Sequence, residues 1–112
     1  MPAIPLDFPR EQVIAEVQVI EEGLDGQSWS DYTRGLVQTL DAAIAVSWIM
    51  GETDFEADMA PRMGWLQEQL LDLEVAELSG GVSVAQKESI ANEVLYIKSL
   101  IPEELWKENN YG

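Results

Sequence analysis

Apolar residues recur at intervals of three and four along nearly the whole chain, and glycines and prolines interrupt that pattern at a few places. This period belongs to helices with one buried face, and no stretch alternates as a half-buried strand would. Val13, Val17, Ile20 and Leu24, with Ile14 beside them, define the first face. Asp7 is placed to cap that helix with Pro9 in its first turn, and Gly23 to end it after about Glu22. Residues 1–8, with Pro2 and Pro5, read as an extended N-terminal arm.

The loop LDGQS leads to a second helix that starts at Ser28 or Ser30 and stops at Gly51. One stripe holds Trp29, Tyr32, Leu36, Leu40, Ala43, Ser47 and Met50, and a second holds Val37, Ile44 and Trp48. From Ala42 onward (AAIAVSWIM) the helix is apolar nearly all round, which predicts a central place in the fold or an interface between copies. Gly35, Ala42, Ala43 and Ala45 are small enough to admit a close neighbour.

Thr53 and Glu56 have capping-box spacing, so a third helix is expected from about Asp54. Pro61 and Gly64 predict a kink or a break inside it, giving a short helix and then a long one. Met59, Met63, Leu66, Leu70 and Leu73 step 4-3-4-3, a spacing that packs on a neighbour at a shallow angle. Leu71, Val75 and Leu78 form a second apolar side, and Gly80-Gly81 ends the helix. Ser83 and Gln86 repeat the capping-box spacing before a fourth helix with the stripe Ile90, Val94, Ile97 and Ile101. Pro102 closes it and opens a short last one, PEELWKEN. The expectation is an all-α fold: one domain over residues 1–112, a compact bundle of four main helices plus a short C-terminal helix, with sequential neighbours antiparallel.

Charge limits the function. The 112 residues carry 21 acids against 6 bases, a net charge of −15, with no histidine and no cysteine. Thiolate chemistry, disulfides and histidine-activated serine catalysis are therefore out of reach. No glycine-rich phosphate loop occurs, and Lys87, Lys98 and Lys107 lie in no apolar-pocket pattern. The N-terminus lacks a signal-peptide pattern, and the longest uncharged apolar run, residues 42–51, is well short of the ~20 residues of a membrane span. These features lead to the expectation of a soluble, cytoplasmic protein. A surface this negative repels nucleic acid and anionic lipid, so neither is expected as a direct partner.

Glu52, Asp54, Glu56 and Asp58 alternate as in the start of a calcium loop, but Ala57 and Met63 occupy the positions that need glycine and a bidentate glutamate. They fit the acidic first turn of a helix. Glu74 and Glu77 have the spacing of a helical metal pair, and Glu77 shares a stripe with Leu70 and Leu73. That pair leaves room for a carboxylate-metal nucleotide hydrolase. No metal or cofactor is expected under the leading reading. Trp29 and Trp48 read as core, whereas Trp65 and Trp106 are candidate binding anchors. Together with Glu68 and Asp72, the acids at 52, 54, 56 and 58 and these two tryptophans are the candidate interaction residues.

The leading expectation is a non-enzymatic inhibitor or adaptor, of a size and character that fit a phage or mobile-element product. It would bind a basic, nucleic-acid-binding protein by nucleic-acid mimicry. The same residues also suit a homo-oligomeric assembly protein, paired through the apolar part of helix two. In that case the acidity serves solubility alone.

Overall fold

The computed structural model of the chain describes residues 8–51 and 54–100. Four helices account for most of them: α1 Arg10–Gly23, α2 Trp29–Ile49, α3 Asp54–Ser79 and α4 Val84–Leu100, with no strand among the described residues. The expected extended arm (save Phe8), the Asp7 cap, the Thr53 half of a capping box and the short C-terminal helix after Pro102 lie outside them.

Each helix starts and stops for a local reason. Pro9 stands at the N-cap of α1, two places after the Asp7 that the spacing predicts, and offers no capping side chain; its carbonyl accepts from the N–H groups of Gln12 and Val13. Ser28 caps α2 through a reciprocal box, its hydroxyl accepting from the Asp31 N–H at 3.1 Å while its own N–H donates to the Asp31 carboxylate. Ser83 and Gln86 form the same box at α4, as their spacing predicts. Between α3 and α4 the chain turns through Gly80 (φ 134°) and Gly81 (φ 119°), a left-handed path that residues with side chains rarely take. The Gly81 N–H returns to the Ala76 carbonyl at 2.8 Å, closing the end of α3.

α2 and α3 form an antiparallel pair, tied at one end by Ser30–Glu77 and Arg34–Glu74 and at the other by Trp48–Glu56. α1 packs on α4, so the second close pair joins the two ends of the described chain rather than sequential neighbours. The shared core contains Leu36 and Leu40 of α2, Met59, Leu66 and Leu73 of α3, and Ile90, Val94 and Ile97 of α4, all at most 1% exposed. Burial of each contributes roughly 1.5–3 kcal/mol. Val13 and Ile20 close the core from α1.

Three expectations are corrected. α3 does not break at Pro61 but runs unbroken over 26 residues. The proline removes one backbone hydrogen bond, yet Met59 before it and Arg62 after it are both buried, and their contacts hold the two halves in one helix. Trp48 is not core: it is 60% exposed, and its indole N–H donates to Glu56 at 3.1 Å. An all-round apolar segment does not fix which side turns inward, and here Ala43 and Ser47 take the inner side. Gly35 admits no close neighbour, since a Cβ there would meet nothing within 4 Å.

Candidate interaction surface

The five bases among the described residues are each bonded to a carboxylate. Arg10 meets Glu88 at 3.4 Å, Arg34 meets Asp31 and Glu74 at 3.1 and 2.8 Å, Lys87 meets Glu21 at 2.7 Å, and Lys98 meets Glu16 at 2.9 Å. Arg62 is committed to Glu93 inside the bundle. Among the described residues, the outward field is therefore set by the acids that no described base answers.

Several of these acids lie on one line. Asp54, Asp58, Pro61, Trp65, Glu68 and Asp72 step 4-3-4-3-4 along α3, so they share one strip of its surface. The four acids are exposed and Trp65 is half-buried between them. Eighteen steps of 1.5 Å from Asp54 to Asp72 make the strip about 27 Å long. The continuity of α3 through Pro61 keeps the two acidic pairs in register. Glu56 lies off this strip, half-buried and held by Trp48. Glu52 and Trp106 lie outside the described residues.

Beside the strip opens a cleft of about 650 Å³ between α3, α4 and the start of α1. Phe8 and Val13 line one side, Trp65 and Arg62 another, and Glu88 and Asn92 a third. The Phe8 N–H donates to the Asn92 side chain at 3.1 Å, which fastens the entry to α1 onto α4. Arg10, its side chain 75% exposed, also lines the cleft and makes a long contact to Glu88.

The inner wall of the cleft is a buried ion pair. Arg62 Nη1 donates to both Glu93 oxygens, at 2.5 and 2.7 Å, and the guanidinium lies 3.7 Å from the Tyr96 ring centroid. Loss of water pushes the Glu93 carboxyl above its usual range, against the downward pull of Arg62. The sequence carried a trace of this pair: Arg62 falls on the stripe of Met59 and Leu66, and Glu93 on that of Ile90 and Ile97. One opposite charge on each inward face of two packed helices is the pattern that reveals it.

At the surface the shifts go the other way. Hydrogen bonds from the Ser28 backbone and hydroxyl lower the Asp31 pKa, and the hydrogen bond from Lys87 lowers that of Glu21. Burial raises the Tyr32 hydroxyl.

Glu74 and Glu77 are committed to α2. Arg34 takes Glu74, while Glu77 accepts from the Ser30 N–H at 3.1 Å and the Ser30 hydroxyl at 2.7 Å. Glu77 thus supplies a cap for the start of α2, where carboxylates are favoured. No group of three or more acids among the described residues is placed to hold a metal ion, and no helix there is long and apolar enough to cross a membrane.

No protein family, no curated protein and no solved structure matches the chain. The α3 strip thus sets four exposed carboxylates in line, with Trp65 and a cleft beside them.

Proposed function

We propose that this protein is a small acidic interaction module, a non-enzymatic inhibitor or adaptor that engages a basic protein along the outer strip of α3. One observation carries the reading: every described base is already bonded to a carboxylate elsewhere, while Asp54, Asp58, Glu68 and Asp72 stand on a single line with no ion pair to a described base. Such a field accelerates encounter with a basic groove and weakens with salt. Trp65 at mid-strip supplies an apolar anchor of the kind that dominates binding energy. A line of carboxylates also competes with a phosphate backbone, so a nucleic-acid-binding protein is the partner class that fits best.

Affinity capture from a cell lysate tests this, with parallel captures at low and high salt and with excess duplex DNA. The expected result is a basic protein that is retained at low salt and released by salt or DNA. Capture by the Glu68→Lys/Asp72→Lys variant should fall by at least about tenfold. Undiminished capture by that variant would remove the strip as the contact surface.

A further inference from the structure

The last turn and a half of α2 is unusual for a protein this polar. Val46, Trp48, Ile49 and Met50 are 37, 60, 85 and 69% exposed, and Ala45 beside them is exposed too. Single exposed apolar residues are ordinary, but a continuous group that includes tryptophan and methionine marks a contact surface. Trp48 is fixed through its hydrogen bond to Glu56.

The surroundings of the patch select its occupant by charge. α2 has no base in its last turn, and every described base is paired elsewhere, so no described base answers the negative end of its dipole. The first turn of α3, joined to the patch by the Trp48–Glu56 bond, adds Asp54 and Glu56. Asp41 is exposed one turn before Ala45 on the same side of the helix. A second copy of the chain would set one acidic rim against another, and its described bases are already bonded within the protein. An anionic lipid surface is repelled for the same reason.

We infer that the end of α2 docks an amphipathic helix whose apolar face is flanked by lysine or arginine, contributed by the basic partner. The inference rests on the interaction reading above and adds a second contact to it. The apolar face covers Val46, Ile49 and Met50, and the flanking cations meet Asp41, Asp54 and the carbonyl end of α2.

Two labelled synthetic peptides of equal charge test it: an idealised leucine–lysine amphipathic helix, and the same residues shuffled so that no apolar face forms. Anisotropy titrations at low salt should show the amphipathic peptide bound at least about tenfold more tightly than the shuffled one. The Ile49→Ser/Met50→Ser variant should lose that margin. A Leu71→Ser/Val75→Ser variant, altered at another exposed apolar pair, should keep it. An unchanged margin in Ile49→Ser/Met50→Ser overturns the inference. So does a stable dimer of the unaltered protein, seen in sedimentation, that this variant disperses, because the patch is then the protein's own interface. If both peptides bind equally and salt weakens both, the docking site fails and the acidic-surface reading stands. If neither binds, both fall.

Discussion

Replacing Arg62 by methionine would leave Glu93 as a lone charge inside the bundle. Arg62 and Glu93 are 7% and 4% exposed, with both carboxylate oxygens bonded to one guanidinium nitrogen. Removing one partner of such a pair costs about 3–5 kcal/mol. The lost contact of the guanidinium with Tyr96 at 3.7 Å favours the upper end of that range. A domain of this size is stable by only about 5–15 kcal/mol. At about 4 °C per kcal/mol, Arg62→Met should lower Tm by roughly 12–20 °C. The double variant Arg62→Met/Glu93→Leu removes both charges and should recover to within about 1 kcal/mol of the unaltered protein. Urea unfolding followed by circular dichroism reads all three proteins.

The same pair gives a dependence on pH. Burial holds the Glu93 pKa above 4.5 in the folded protein, and the Arg62 hydrogen bond and charge restrain that rise. Without Arg62 the folded pKa climbs further. Between the unfolded and the folded value the native state binds more protons, so stability falls as pH rises through that window. Arg62→Met should therefore be closer in stability to the double variant, which lacks the titrating group, at about pH 5 than at about pH 8. A loss of less than about 1 kcal/mol in Arg62→Met, or a double variant as weak as that single one, would refute the argument that an uncompensated buried charge is at stake.

Glu77→Ala takes two hydrogen bonds from Ser30 at the start of α2 and should cost about 1.5–3 kcal/mol in urea unfolding, with or without added Mg²⁺. A dependence on Mg²⁺ would instead place Glu77 in a metal site. Pro61→Ala restores a missing backbone bond within α3 and should stabilise by up to about 3 kcal/mol, less the gain in freedom of the unfolded chain; destabilisation would mean that the proline shapes the packing.

What the sequence made legible was whatever depends on one helix at a time. The Ser83–Gln86 box and the Met59–Leu66–Leu73 face follow from spacing, because cap and stripe geometry are local. The α3 strip was not among these, because its acids and Trp65 fall in line only once the helix is known to be continuous. What was hidden depends on a second helix. The uniform apolarity of AAIAVSWIM gives no phase, so only the packing of α2 on α3 turns Ala43 and Ser47 inward and leaves Trp48 outside. The Arg62–Glu93 pair spans 31 residues of sequence, and the cleft needs three elements to exist. Of the kink or break that the local rule at Pro61 anticipated, the break is overturned, because the rule counts the backbone bond alone and not the buried side chains on either side. That miss bears on function, since a break there would set Asp54 and Asp58 out of line with Glu68 and Asp72. If a continuous strip is what a basic partner reads, Pro61→Ala should raise stability and leave capture unchanged. A variant both more stable and weaker in capture would mean that the partner requires the proline's own local shape.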